Sequence, residues 1–328
     1  MKKQIIAIAV LSLTIFSCSN DDDNGGNNTK RAELYATSTA NGDITVYDFA
    51  SGASPTTSTL TTASTSNEGI QYSASEDELY VASRSSFNLN AYSNIEAQII
   101  GTTSAVVGVN GSIDFTSPRA LAVNGNTVVV ADNGNNQLFV YNRTSSGLSL
   151  ANTFDISFPV WGVEFVGSDL YVVVDTTGDL AVFNNFLSNS TDGALAASKR
   201  ITIEGIVRTH GIAYDASDDL LIMTDIGDAG SDSDGGFHLI QNASSQISGV
   251  TNGGTLAVAS QTRIAGSNTL LGNPVDVTFD TDANVVYIAE IANGGGRILG
   301  FPVTASGNAT PSVNNMLTSA SSVDFYNE

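Results

Sequence analysis

The chain of 328 residues is poor in several residue types that common protein classes require. A single cysteine excludes a fold that is held together by intramolecular disulfides. Twelve Lys and Arg residues stand against 33 Asp and Glu, and the net charge of −21 excludes the basic surface on which a nucleic-acid partner depends. Strong helix formers are replaced by Ser, Thr, Gly, Asn and Val. We therefore expect a large β-rich core and no nucleic-acid partner.

The first 17 residues, MKKQIIAIAVLSLTIFS, combine the basic pair Lys2 and Lys3 with an apolar stretch from Ile5 to Phe16. This stretch is shorter than the ~20 residues that span a bilayer, and it is typical of an export signal. Cys18 follows directly, and its surroundings resemble the lipobox of bacterial lipoproteins. The resemblance implies that Cys18 carries the lipid anchor; the alternative is a buried free cysteine.

Residues 18–30 predict a disordered acidic tether, because they contain almost nothing that a core would bury. Ser19 directly after the cysteine resembles outer-membrane sorting, and the run Asp21–Asp23 resembles the surface-export signal of Bacteroidetes lipoproteins. These resemblances imply an outer-membrane lipoprotein at the cell surface, with the lipid on Cys18 in the membrane. The alternative is a solvated linker without an address.

One pattern recurs along residues 31–328, and it consists of an apolar strand, an Asn/Asp/Gly turn, a second apolar strand and an aromatic-rich third strand. The copies are Glu68–Asn94, Pro118–Asn142, Pro159–Phe186, Thr209–Asn242 and Asn273–Val303. Fourth strands are expected at Ser149–Ile156, Ser198–Ile203 and Leu256–Ile264. The copies recur at a spacing close to the ~40–50 residues of a propeller blade. The sequence therefore predicts an all-β, six-bladed β-propeller of four-stranded blades.

The sixth blade is divided between the two ends of the propeller sequence. Glu33–Phe49 has the pattern of second and third strands, and Ser321–Phe325 has that of a first strand with nothing after it. Pairing of the two would close the ring and leave no free sheet edge. The alternatives are an open solenoid, a β-sandwich, or seven blades with a degenerate one in Ser244–Gly272.

The copy Pro118–Asn142, PRALAVNGNTVVVADNGNNQLFVYN, resembles an NHL repeat, and Asp132 ends its second strand. Asp175, Asp225 and Glu290 occupy the same position in three other copies. In blades of this kind the strand-end acid accepts hydrogen bonds from backbone N–H groups of the next turn. The resemblance therefore implies a structural role for these four acids.

The residue just before each first strand is expected to point into the mouth of the central channel, where loops on a rigid scaffold carry function. The aligned residues are Glu68, Arg119, Trp161, His210, Val275 and Ser321. Trp161 suits stacking on a sugar, Arg119 suits a carboxylate, and His210 suits a base or metal ligand. The alternative is that Glu68, Arg119 and His210 bind one another and plug the channel.

The segment Asn67–Ser83 is similar to the first motif of the gluconolactonase/senescence-marker-protein family, in which a Glu before a Gly is a metal ligand. The resemblance implies that Glu68 is such a ligand, and His210 and Asp276 would complete a set for Ca²⁺ or Zn²⁺. A metal held there would polarise a carbonyl for attack by water.

A second set of hard oxygen ligands lies in the loop 225–236, DIGDAGSDSDGG, and Ca²⁺ prefers such ligands. Its four aspartates are Asp225, Asp228, Asp232 and Asp234. Gly230 stands where the first Asp of an EF-hand would be, so the sequence favours a solvated hairpin loop, with a calcium site as the alternative.

The predicted organisation is a signal peptide over residues 1–17, a tether over 18–30 and a propeller over 31–328. No nucleophile elbow, His-Glu-x-x-His, phosphate-binding loop or dinucleotide fingerprint occurs in the sequence. We therefore predict a monomeric, lipid-anchored binding or scaffold module for a polar ligand, a glycan or a protein partner. The alternative is a metal-dependent lactonase or hydrolase.

Overall fold

The computed structural model describes residues 30–101 and 104–328 of the chain. The predicted export signal, Cys18 and all of the predicted tether except Lys30 lie outside the described residues. Two short helices are present within them, α1 (Ile95–Gly101) and α2 (Ala243–Gly249). Neither these nor any other described helix has the length and apolarity needed to cross a membrane.

The described residues otherwise form short strands that are joined by turns. In chain order the first eleven strands are β1 (Ala32–Ser38), β2 (Ile44–Asp48), β3 (Thr56–Leu60), β4 (Asn67–Ser73), β5 (Glu78–Ser83), β6 (Asn88–Ser93), β7 (Val107–Ile113), β8 (Pro118–Asn124), β9 (Thr127–Asp132), β10 (Gln137–Thr144) and β11 (Gly147–Asp155). The remaining strands are β12 (Val160–Val166), β13 (Asp169–Val174), β14 (Asp179–Phe183), β15 (Gly193–Ala194), β16 (Lys199–Ile203), β17 (Ile212–Asp215), β18 (Leu220–Asp225), β19 (Gly236–Ile240), β20 (Thr255–Leu256), β21 (Thr262–Ala265), β22 (Pro274–Asp280), β23 (Val285–Glu290), β24 (Arg297–Pro302), β25 (Val313–Met316) and β26 (Ala320–Asn327).

These strands form six sheets, and each sheet is one blade. From the channel outward the blades are β26-β1-β2-β3, β4-β5-β6-β7, β8-β9-β10-β11, β12-β13-β14-β16, β17-β18-β19-β21 and β22-β23-β24-β25. The two-residue strands β15 and β20 add a parallel pairing to the outer edges of the third and fourth blades. The predicted all-β, six-bladed propeller of four-stranded blades is confirmed.

The C-terminal strand closes the ring, as the sequence predicts. β26 is antiparallel to β1, with Leu34 opposite Phe325 and Ala36 opposite Val323. A backbone hydrogen bond from Glu328 N to Arg31 O, 3.1 Å long, extends this pairing to the end of the chain. The first and last strands of the propeller therefore belong to one sheet, and neither is left as an unpaired edge.

The seven-blade alternative is wrong. Residues 244–272 form most of α2, β20 and β21 rather than a seventh sheet. The fourth strand of the fifth blade is β21. The strand predicted there, Leu256–Ile264, begins six residues too early. Leu256 instead pairs with Ile203 of the fourth blade.

The core is divided into six hydrophobic clusters, one between each pair of neighbouring blades. Leu34 and Ala36 pack toward the sixth blade, whereas Tyr35 between them packs toward the second blade. Successive side chains of a strand point to opposite faces, and both faces of a blade are covered. Because both faces of each blade are buried, the second strands are apolar at nearly every position.

Candidate functional site

Irregular pairing at the start of the inner strands shapes the mouth of the channel. The register shifts between Asn67 and Ile70, between Pro118 and Leu121, and between Val160 and Val163. The residues inside these bulges include Glu68, Arg119 and Trp161. A bulge turns a side chain away from the regular pleat, and it often does so next to a functional site. The three residues lie within the first strands rather than just before them, which corrects that detail of the sequence alignment.

Glycine follows three of the mouth residues because neighbouring inner strands approach closely there. A Cβ atom on Gly162 would lie 2.3 Å from the carbonyl oxygen of His210, and one on Gly211 would lie 2.7 Å from Cα of Asp276. Gly69 is similarly close to the backbone of Ala120, at 2.9 Å. The pairs Glu-Gly, Trp-Gly and His-Gly at positions 68, 161 and 210 therefore have a common packing reason that involves no metal.

Trp161 lies between a guanidinium group and an imidazole ring at the mouth. The Arg119 Cζ atom is 4.1 Å from the centroid of the indole, and the His210 ring stacks on the indole with a centroid distance of 3.4 Å and an angle of 4°. Arg119 comes from the third blade, Trp161 from the fourth, and the segment before β17 of the fifth blade supplies His210. Protein groups thus occupy the positions that a stacked sugar would take.

Ion pairs extend this stack at both ends. Glu68 lies 3.3 Å from Arg119 and 3.0 Å from Arg84. On the other side, Asp175 lies 3.0 Å from His210 Nε2 and 2.8 Å from Arg208. We refer to the resulting row of seven side chains as the mouth stack: Arg84, Glu68, Arg119, Trp161, His210, Asp175 and Arg208. The structure thus brings together Glu68, Arg119, Trp161 and His210, which the sequence predicts at the channel mouth.

Burial sets the protonation states of the mouth stack. Burial lowers the pKa of His210 to about 4, and the hydrogen bond with Asp175 offsets this only in part. Burial acts to raise the pKa of Asp175, but hydrogen bonds from His210 and Arg208 hold it well below its usual range. The neutral imidazole therefore donates its Nε2 proton to Asp175, which leaves Nδ1 as an acceptor without a partner among the described residues.

Asp132, Asp225 and Glu290 accept hydrogen bonds from backbone N–H groups, in accordance with the structural role predicted for them. Asp132 accepts from Thr116 N at 2.6 Å and from Gly134 N at 2.8 Å. Through such bonds each acid connects the loop before the first strand of its blade with the turn after the second strand, which the acid itself ends. Asp175 is the exception, since its main partners are the side chains of the mouth stack.

Asp276 is not part of the mouth stack. It lies farther along the channel in β22, where it accepts hydrogen bonds from the Ser322 hydroxyl and from Val323 N, the latter at 3.0 Å. Asp276, Glu164 and Asp324 line a narrow polar cavity of about 50 Å³ between the inner strands, enough for a few water molecules. Asp276 therefore belongs to the channel interior.

Burial is the main cause of raised pKa values in this cavity. The pKa of Glu164 is raised to about 8, that of Asp324 to about 7 and that of Asp276 to about 6, with repulsion between the carboxylates adding to burial. Sequence reasoning missed Glu164 and Asp324. The available signal was a lone acid between apolar residues of an inner strand, as in the sequences Val-Glu-Phe and Val-Asp-Phe.

The loop 225–236 is held by its own hydrogen bonds. Asp228 accepts from Gly230 N at 2.9 Å, and Asp234 accepts from Asp228 N at 3.1 Å. Across residues 30–101 and 104–328, no group of three or more His, Cys, Asp or Glu side chains is arranged to hold a metal ion. Calcium or zinc at Glu68, His210 and Asp276, or calcium in this loop, therefore stays a prediction from the sequence.

Arg84 and Arg208 were also missed by sequence reasoning, although both adjoin residues that it selected. Arg208 precedes His210 by two positions, and Arg84 directly follows Ser83, the strand-end residue of the second blade. Basic residues are rare in this chain, so their position next to blade-start or strand-end residues was the available signal.

Comparisons with known proteins agree with this architecture. The NHL repeat family model matches residues 115–141, which contain β8, β9 and most of β10. Comparison with curated proteins gives no match.

Solved structures resemble the whole propeller at low sequence identity. A chain of a nidogen/laminin complex has a TM-score of 0.63 at 12% identity, with 90% of this chain and 98% of that chain covered. A protein of Bacteroides uniformis described as a 6-phosphogluconolactonase has a TM-score of 0.61 at 13% identity, with coverages of 91% and 100%. A counterpart from Bacteroides fragilis has a TM-score of 0.60 at 12% identity, with coverages of 93% and 100%. These likenesses concern the fold alone, and the chain is a six-bladed β-propeller that contains an NHL repeat.

Proposed function

We propose that this protein is a binding module and that the face around the mouth stack is its recognition surface. The observation that carries the proposal is that the groups with catalytic potential are already bound by other protein groups. A general base or a metal ligand must be free to contact substrate, water or metal. Glu68 lies between two guanidinium groups, and His210 is stacked on Trp161 and bonded to Asp175. Such an arrangement favours recognition over turnover.

The position of the chain termini supports an outward orientation of this face. β1 begins at Ala32, which pairs with Asn327 at the end of β26, whereas the mouth is formed at the start of the inner strands. Lys30 therefore leaves the ring on the face opposite the mouth. We propose that a lipid on Cys18 holds the protein at the outer membrane, with the mouth directed away from it. Residues 19–30 reach at most about 40 Å when fully extended.

The structural neighbours support two functions for this shape. The chain from the nidogen/laminin complex places a similar propeller in an assembly of proteins, which supports a protein partner for this chain. The neighbours described as 6-phosphogluconolactonases support the hydrolase alternative. The guanidinium groups on both sides of Glu68 favour the first, because they compete with any metal for that carboxylate.

The test is to measure binding and turnover with one preparation of the purified protein. The protein is applied to arrays of glycans and extracellular matrix proteins. The same preparation is assayed for hydrolysis of sugar lactones in the presence of Ca²⁺ or Zn²⁺. We expect a specific signal on the arrays that Trp161→Ala removes. Lys30→Ala, which alters the opposite face, should leave that signal unchanged. Metal-dependent lactone turnover that Glu68→Gln abolishes would overturn the proposal in favour of a hydrolase.

The anchor has a separate test. Expression in a bacterial host with labelled palmitate should label the wild-type protein and leave Cys18→Ala unlabelled. A Cys18→Ala protein that retains the label would refute the anchor, and the proposed recognition surface would be unaffected.

A further inference from the structure

We infer that the mouth stack is a binding site for oxyanions, with Arg84 and Arg208 as the ligand-binding residues. The expected ligand carries at least one carboxylate, sulfate or phosphate group. This inference rests on the proposed binding function, and it names the chemical class that the recognition surface takes.

The first argument is the balance of charge at the mouth. The mouth stack contains three guanidinium groups, whereas Glu68 and Asp175 supply at most two negative charges. His210 adds no positive charge near neutral pH, since burial lowers its pKa to about 4. Within the mouth stack at least one positive charge is therefore uncompensated, in a chain whose net charge is −21. Asp225, which accepts a hydrogen bond from Arg208 N, is paired with Arg263. A concave site with low-dielectric walls concentrates such a field and attracts anions.

The second argument is that two of the guanidinium groups have unused donors that face solvent. The side chain of Arg84 is 34% exposed and that of Arg208 is 27% exposed, against 14% for Arg119. Arg208 holds Asp175 through Nε and Nη2, and Arg84 approaches Glu68 through Nη1. Their remaining N–H groups make no hydrogen bond to the described residues. Guanidinium groups bind planar and tetrahedral oxyanions through paired N–H donors of this kind.

The third argument is the arrangement of the two arginines around the mouth. Arg84 belongs to the second blade, and Arg208 enters the fifth, so they lie on opposite sides of a six-bladed ring. The stacked Arg119 and Trp161 form the layer between them. Ser85 and Ser86, next to Arg84, are exposed and add hydroxyl groups to the rim. A ligand with two oxyanion groups that lies across the mouth therefore meets a guanidinium group at each end, whereas a single small anion contacts one of the two arginines.

Trp161 provides the readout, because it is the only tryptophan in the chain and contacts Arg119 directly. The purified protein is titrated with glucuronate, inorganic phosphate and inorganic sulfate while the fluorescence of Trp161 is recorded. Glucose is the neutral control for glucuronate. The variants are Arg84→Gln and Arg208→Gln. Arg200→Gln is the matched control, since Arg200 has 39% side-chain exposure and pairs with Asp179 away from the mouth.

We expect at least one of the three anions to give a saturable change, and glucose to give none. A small anion contacts only one of the two arginines, so loss of that charge-assisted contact should weaken binding by about tenfold in Arg84→Gln or in Arg208→Gln, and Arg200→Gln should bind as the wild type does. Saturation by glucuronate alone would identify the ligand group as a sugar carboxylate. Saturation by phosphate alone or by sulfate alone would identify it as a phosphate or a sulfate group. A lysine at the arginine that binds the anion, in Arg84→Lys or in Arg208→Lys, keeps the charge and removes the paired donors, so that variant should also bind more weakly.

The inference is overturned if no anion gives a saturable change, or if all variants bind as the wild type does. Thermal unfolding of each variant establishes that it is folded. Array binding that is removed by Trp161→Ala and retained by Arg84→Gln and Arg208→Gln would refute the oxyanion site and leave the binding module intact. Anion binding together with metal-dependent lactone turnover would refute the binding module and retain the anion site.

Discussion

The imidazole of His210 lies parallel to the indole of Trp161, with a centroid distance of 3.4 Å, and together they join two blades at the mouth of the channel. His210 is only 3% exposed, and its Nε2 bonds to Asp175, which also binds Arg208. The contact thus places a neutral base, an acid and a cation in fixed positions. Its consequences for stability and pH dependence can be measured, as follows.

Protonation of His210 should destabilise the protein at acidic pH. Its pKa is about 4 in the folded state, against an ordinary value of 6.5, so the unfolded chain binds more protons between these values. The free energy of unfolding should therefore fall as the pH is lowered from 6.5 to 4, by up to about 3 kcal/mol. Urea unfolding across this range measures the effect.

The variant His210→Gln removes the titrating group and keeps a polar side chain of similar size. It should flatten the loss between pH 6.5 and 4, whereas the loss from protonation of Asp175 below its ordinary pKa of 3.8 should remain in part, because Arg208 still binds Asp175. An unchanged slope in His210→Gln would contradict the assignment.

Glu164 should make the protein less stable as the pH rises. Burial raises its pKa from 4.5 to about 8, so the folded state binds more protons than the unfolded state between these values. The free energy of unfolding should fall across this window, by about 1–3 kcal/mol after allowance for water in the channel. Asp276 and Asp324 face the same cavity and raise the pKa of Glu164, and Glu68 acts in the same direction on Asp276.

Glu164→Gln should raise stability at pH 8 and have little effect at pH 5, as measured by thermal unfolding at both values. Glu76→Gln, at an exposed position, is the matched control. Equal effects of Glu164→Gln at the two pH values would show that the carboxyl group does not titrate in this range.

Removal of the Glu68 carboxylate should destabilise the mouth. Glu68→Gln leaves Arg119 with an unpaired buried charge, and loss of one partner of a buried pair costs about 3–5 kcal/mol. We expect about 2–4 kcal/mol here, because Arg84 is partly exposed and Arg119 retains its contact with Trp161. Chemical denaturation with Glu76→Gln as a control measures the difference. A Glu68→Gln protein as stable as the wild type would refute the structural role of these pairs.

Closure of the ring should dominate the stability of the propeller. Deletion of residues 321–328 removes most of β26, exposes the edge of β1 and opens the cluster around Val323. The loss should approach the whole stability of a typical domain, about 5–15 kcal/mol. Deletion of residues 19–29, which precede the propeller, is the control and should leave the thermal midpoint nearly unchanged. Similar midpoints for the two deletions would contradict closure by β26.

The sequence by itself determined the blade repeat, the strand order within a blade and the pairing of the two chain ends. These features follow from local patterns, because alternation, turn residues and repeat length specify strands and blades before any long-range contact forms. The sequence also selected Glu68, Arg119, Trp161 and His210 as neighbours, since equivalent positions of a closed repeat meet at its axis.

Only the tertiary structure decided what these residues do to one another. That Arg119 and His210 stack on Trp161, and that Asp175 binds His210 instead of a backbone turn, depends on side chains from blades that are more than 30 residues apart. Likewise, Asp276 belongs with Glu164 and Asp324 because three inner strands face one narrow channel. Charge and burial act through space, so the pKa of each group depends on partners that its own blade does not contain.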